Sequence, residues 1–110
     1  MLATQTITLS ELVSEQPSGI VLVFSRYYDG AAQDDNFNSF FVPKAFVAAK
    51  EGFGSAFLMT TSIFGVMCQK YLYISDGKIV GNANNTATGT GTTGITYANN
   101  SYVLRYVIGV

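Results

Sequence analysis

Tyr71-Leu72-Tyr73-Ile74-Ser75-Asp76-Gly77-Lys78-Ile79-Val80 is the stretch that decides the fold. Asp-Gly between two runs of β-branched and aromatic residues predicts a hairpin with a two-residue type I′ turn, whose central residues both need positive φ. In that register Ile74 faces Ile79 and Tyr73 faces Val80, so apolar side chains meet on both faces. A β-branched residue is expected to fit badly at Gly77, where the turn asks for a left-handed backbone.

Outward from this hairpin the same patterns recur. Val66 to Ser75 leads into it, and Ser55 to Thr61 precedes it as a further strand. Thr6-Ile7-Thr8-Leu9 alternates polar and apolar residues, as a half-buried strand does. Ser10-Glu11-Leu12-Val13 predicts a short helical turn that Pro17-Ser18-Gly19 stops. Ile20-Val21-Leu22-Val23-Phe24 is apolar on both faces and reads as a central strand. Tyr27 to Asn38 reads as a loop, long for a compact domain. Phe40-Phe41-Val42 resumes strand character and Pro43 ends it or places it at a sheet edge, after which Lys44 to Glu51 fits a helical turn or a loop equally well. Asn82 to Gly94, rich in Asn, Thr and Gly, reads as a flexible loop and a spacer. In the closing Tyr102 to Val110, alternation puts Tyr102, Leu104, Tyr106 and Ile108 on one face, in a strand held at the sheet centre or in an interface. Together these segments predict one all-β domain over residues 1–110, an antiparallel β-sandwich or jelly-roll-like barrel with little helix.

Composition narrows the function. Apolar residues make up 48% of the chain and charged ones only 12%, about half the usual fraction. So much apolar surface on so small a domain predicts burial against another copy or against a neighbouring part of a longer protein, with a homo-oligomer the expectation. Seven acidic residues against six basic ones leave no basic stripe for nucleic acid. The longest weakly polar stretch, Ala56 to Cys68, is interrupted by Thr60, Thr61 and Ser62 and is too short to span a bilayer. The lone Cys68 excludes an internal disulfide and, in a chain without histidine, reads as a small buried hydrophobe rather than a nucleophile.

Several motifs dissolve on inspection. Gly89-Thr90-Gly91-Thr92-Thr93-Gly94 spells G-x-G-x-x-G, but no strand precedes it and no helical pattern follows. Asp29, Asp34, Asp35, Asn36 and Asn38 offer hard oxygen ligands without the spacing of an EF-hand loop. Asn84-Asn85-Thr86 and Asn99-Asn100-Ser101 fit the glycosylation pattern by chance in such Asn-rich segments. No pair of acids stands out for two-carboxylate catalysis, and no cofactor or metal is expected. What remains is a binding set: Tyr27, Tyr28 and Phe37 beside Asp29, Asp34, Asp35 and Asn36. Flat rings stack on sugars while carboxylates and amides meet hydroxyls, so this loop is the expected carbohydrate site.

The ordered set Gln5-Thr6-Ile7-Thr8-Leu9, Gly19-Ile20-Val21-Leu22-Val23-Phe24-Ser25, Phe41-Val42-Pro43-Lys44, Lys70 to Asp76, Lys78-Ile79-Val80-Gly81 and Tyr102 to Val110 covers nearly the whole chain. It resembles the C-terminal domain of phage tail-tip and baseplate receptor-binding proteins, from phages of Gram-positive bacteria. The resemblance implies the head module of a longer virion protein, host-facing and often trimeric, that attaches to a host cell-surface saccharide such as wall polysaccharide or teichoic acid. A purely structural trimer cap is the competing expectation. Phe24 departs from the tryptophan common at that place in the family, and relatives usually continue upstream of Gln5.

Overall fold

The computed structural model describes residues 4–61, 66–92 and 94–110; Ser62 and Thr93, cited above, lie outside them. Ten strands and one short helix are described: β1 (Thr6–Thr8), β2 (Gly19–Tyr28), β3 (Ala31–Ala32), β4 (Asn38–Pro43), α1 (Lys44–Ala49), β5 (Gly54–Thr61), β6 (Val66–Ile74), β7 (Lys78–Gly81), β8 (Thr88–Thr90), β9 (Thr96–Ala98) and β10 (Tyr102–Gly109). One sheet runs β1-β7-β6-β9-β8, with β5 also paired to β6. In the other, β2 carries β10 on one edge and β4 and β3 on the other. All pairings are antiparallel except β6 with β9. The result is a mostly antiparallel β domain with little helix and a sheet curled into a half-barrel; it is not a closed barrel.

Alternation decides what is buried. Ile20, Leu22 and Phe24 of β2 point inward against Phe57 and Met59 of β5, Cys68, Leu72 and Ile74 of β6, Ile79 of β7 and Leu104 of β10. Phe24 occupies the centre, with Phe40 at 5.9 Å and Phe57 at 6.2 Å between ring centroids. Aromatic and β-branched side chains of this bulk fill the space between pleated surfaces, and their burial is the dominant favourable term in folding. Val47 of α1 and Val13, on a 3-10 turn over Val13–Glu15, close one end. Pro43 ends β4 where the sequence indicates, and α1 follows it.

The deciding hairpin has the expected register, Ile74 opposite Ile79 and Tyr73 opposite Val80. Its turn is not type I′, because neither Asp76 nor Gly77 has positive φ. The turn carbonyls are held from outside: Leu9 N donates to Gly77 O at 3.0 Å and Val13 N to Asp76 O at 2.9 Å. The Asp76 carboxylate accepts from Ser14 N at 2.7 Å and Ser14 Oγ at 2.9 Å. Tertiary contacts therefore override the local preference. The left-handed pair occurs instead at Asp29 (φ 53°) and Gly30 (φ 74°), which fold β3 back on β2 with Tyr28 opposite Ala31. The start of the expected Tyr27–Asn38 loop is thus a hairpin.

The last strand also departs from simple alternation. Leu104 pairs with Phe24 and Tyr106 with Val23, so Arg105 is an extra residue in the ladder. Such a bulge exchanges the faces of everything beyond it. Leu104 lies in the core, Val107 packs against it, and Tyr106 and Ile108 turn outward. β10 lies at the margin of its sheet, not at the centre. Its outward half extends an apolar surface across β2 to β4: Ile108 is level with Val21 and Phe41, and Tyr106 with Val23. Phe41 (54% exposed), Tyr106 (50%) and Ile108 (48%) make this a solvent-facing apolar patch.

Candidate functional site

The seven residues expected to bind sugar are split by the hairpin. Tyr28 and Phe37 are exposed and Tyr27 is half-buried, with Asp29 in the turn itself. Asp35 is clamped by Arg26, whose Nε lies 3.1 Å from one carboxylate oxygen and whose terminal nitrogen lies 3.1 Å from the other. Asp34 meets Arg105 at 3.0 Å, and that guanidinium also donates to Ser25 Oγ (3.0 Å) and Gln33 O (3.1 Å). Arg26 stacks over Tyr28. Asn36 takes a left-handed φ of 53° and its carbonyl accepts from Asn38 Nδ2 at 3.1 Å. Both carboxylates are thus engaged in tying the returning chain to β2 and β10. Among the described residues no group of three potential metal-ligating acids or cysteines forms.

A different site takes shape on the outer surface of the β5–β6 pair. Along one margin of β6, backbone partners come from four places. Met67 pairs with Tyr97 of β9 and Tyr73 with Val80 of β7. Between them, among the described residues, no strand pairs with this margin of β6; two asparagine side chains stand in for one. Asn99 Oδ1 accepts from Gln69 N at 2.9 Å, and its Nδ2 donates to Asn84 O at 2.9 Å. Asn85 Oδ1 accepts from Tyr71 N at 2.7 Å while its Nδ2 donates to Tyr71 O at 3.0 Å, as a neighbouring peptide group would. Unpaired buried backbone groups are costly, so these two residues are what lets the sheet edge be covered by a 3-10 turn (Ala83–Thr86) and the β8–β9 hairpin. Residues 82–92, expected as a loop, thus carry a 3-10 turn and β8, and Asn85 is 1% exposed.

This arm walls a cleft of about 690 Å3 whose floor is Met67, Gln69 and Tyr71 with Leu58 of β5, and whose wall includes Asn82, Asn84, Ile95 and Tyr97. The Tyr71 ring lies over Gly54, where a Cβ would overlap it, and meets Tyr73 edge-on at 5.5 Å. Tyr97 lies over Gly89 in the same manner, an added Cβ reaching its hydroxyl at 3.0 Å. Asn82 is committed to Tyr73 Oη and Asn84 N. The carboxamides of Gln69 and Asn84 make no hydrogen bond to another described residue, which leaves them available to a ligand. None of the seven residues chosen from sequence lines this cleft. The sequence signal that could have found it is the pair of Asn-Asn steps, Asn84-Asn85 and Asn99-Asn100, flanking a Thr/Gly segment with a tyrosine.

Beneath the floor, on the core side, lie Cys68 and Lys70. Lys70 is 1% exposed and its Nζ donates to Asn85 O at 2.7 Å, bracing the arm from within. Burial lowers its pKa to about 8, with the Cys68 side chain opposing that shift. Burial likewise pushes the Cys68 thiol up, Lys70 opposing, and its Sγ donates to Asn99 O at 3.3 Å. A thiol held protonated and turned to the core is a packing group.

No protein-family model matches the chain, and no curated protein or solved structure is significantly similar to it.

Proposed function

We propose that this domain binds a saccharide without cleaving it, and that the cleft above β5–β6 is where it does so. The observation that carries the reading is the pairing of two tyrosine rings, each seated over a glycine, with two unengaged carboxamides in a concave site of ligand size. Aromatic faces seated over glycines and unengaged amides suit a ring that is apolar on its faces and hydroxylated at its rim. A non-catalytic role is favoured because the chain has no histidine and its one thiol faces the core. The resemblance to phage tail-tip and baseplate proteins suggests a host-facing position on a virion and a cell-surface glycan as the target. Architecturally we assign the domain to the open β-sandwiches rather than the jelly rolls.

A glycan array probed with the purified domain tests this. Tyr97→Ala should abolish every positive signal, whereas Tyr27→Ala combined with Tyr28→Ala should leave them intact. The reverse outcome would return the site to the Asp29-Gly30 hairpin.

A second reading, a structural cap, is favoured by the outward apolar patch of Phe41, Val21, Val23, Tyr106 and Ile108. On it the patch is buried between copies in a homo-oligomer, the number three coming from the family resemblance. Light scattering decides this: a species of 11.8 kDa at every concentration rules out self-association by this domain.

A further inference from the structure

Among the described residues the cleft's lining contains no aspartate, glutamate, lysine or arginine. Its polar groups are carboxamides, phenols and backbone, all neutral. An anionic ligand entering it would leave water without gaining a counter-charge, an exchange that is unfavourable for phosphate or carboxylate. The lining is also graded along β6. Toward one end lie Tyr71, Asn82 and Asn84, and toward the other Met67, Ile95 and Tyr97. Gln69 stands between, with Leu58 directly opposite it in the β5–β6 ladder and Met67 two residues away on the same face.

From this arrangement we infer that the cleft selects an uncharged saccharide carrying an acetamido group, and does not take the phosphate-bearing wall polymers; the inference rests on the saccharide reading above. A free carboxamide flanked by two apolar side chains is the complement of an acetamido substituent. The Gln69 amide donates to its carbonyl and accepts from its N–H, while Leu58 and Met67 cover its methyl. Tyr71 or Tyr97 stacks on the sugar ring, and Asn84 meets ring hydroxyls. The hydroxyl of a plain hexose at the same place would leave the methyl-sized apolar corner unfilled and one amide bond unmade. One buried methyl and one hydrogen bond together correspond to a preference of roughly tenfold.

Calorimetric titration of the purified chain with chitotriose, cellotriose and polyglycerol phosphate tests the inference. The expected result is chitotriose binding roughly tenfold tighter than cellotriose, unchanged by added salt, with no binding of the polyphosphate. Gln69→Ala, a change at an exposed side chain without internal bonds, should bring chitotriose down to the cellotriose level while circular dichroism stays unchanged. Tyr71→Ala should weaken both sugars together. Equal affinity for the two sugars in the parent chain overturns the acetamido assignment and leaves saccharide binding standing. Salt-sensitive binding of polyglycerol phosphate overturns the uncharged class. Failure to bind either neutral sugar, with an empty glycan array, overturns the saccharide reading itself.

Discussion

Raising the pH from about 7 to about 9.5 should stabilise this domain, provided Cys68 is first replaced by alanine. The driving group is Lys70. In the folded chain its ammonium loses its proton near about 8, whereas 10.5 is its ordinary value. Between those two values the unfolded chain holds more protons than the folded one, so stability increases with pH; below about 8 both forms are charged and the full penalty of burying the ammonium applies. The gap of about 2.5 between the values corresponds to about 3 kcal/mol, of which about 2 kcal/mol is regained by pH ~9.5. Cys68 works in the opposite sense. Burial raises its pKa, so the unfolded chain gives up the thiol proton first and stability falls as pH rises through that range. Removing the thiol takes away this opposing contribution and also the upward pull of Cys68 on the lysine, so the lysine's gain in stability with pH is at least as large as with the thiol present. The assay is urea unfolding followed by tyrosine fluorescence at several pH values, on Cys68→Ala and on Cys68→Ala with Lys70→Met. The first should gain stability with pH and the second should not. Parallel pH profiles for the two would show that Lys70 is not a desolvated cation in the folded domain.

Asn85→Ala strands both Tyr71 N–H and C=O and should cost about 2–5 kcal/mol in the same unfolding measurement; a loss below about 0.5 kcal/mol would mean that the side chain is not standing in for a strand. Gly30→Val should cost about 1–2 kcal/mol through backbone strain alone, since its φ is 74° and an added Cβ meets nothing. Gly77→Val should cost less, because Gly77 is not left-handed and its Cβ would rest 3.4 Å from Leu12; the opposite order of thermal midpoints would restore a type I′ turn at Asp76-Gly77. Gly54→Ala should leave the core intact yet displace the Tyr71 ring, seen, on the proposed function, as a loss of binding larger than the loss of stability.

The strands were legible because period-two alternation is a local property of the chain, and the register of Ile74 with Ile79 followed from it. The turn between them was not, since its shape is set by Leu9 and Val13, more than sixty residues away in sequence. Asp29-Gly30 carried the same dipeptide and did form the left-handed turn, but it sat in a polar context that reads as loop. Nothing local marks the bulge at Arg105; it becomes visible only when Tyr106 pairs with Val23. Composition marks the aromatic and acidic set around Tyr28, but it does not reveal that Arg26 and Arg105 pair with Asp35 and Asp34. Conversely, Asn85 and Asn99 looked like loop residues because the property that makes asparagine common in turns, an amide resembling the peptide group, is the one that lets it extend a sheet.

That substitution of side chain for backbone separates two demands that usually fall on the same residues. The sheet's margin is sealed by two anchor points, Asn85 and Asn99, placed on either side of the β8–β9 hairpin. The hairpin between them is consequently released from most of the duty of holding the fold together: it is a cassette mounted on two studs. Residues in it can change in kind, or the hairpin in length, with the anchors retained, and the altered wall would then face the same floor of Gln69 and Tyr71. A scaffold so divided can vary the wall without re-solving how it folds, and randomising that hairpin is the natural place to begin reshaping the cleft.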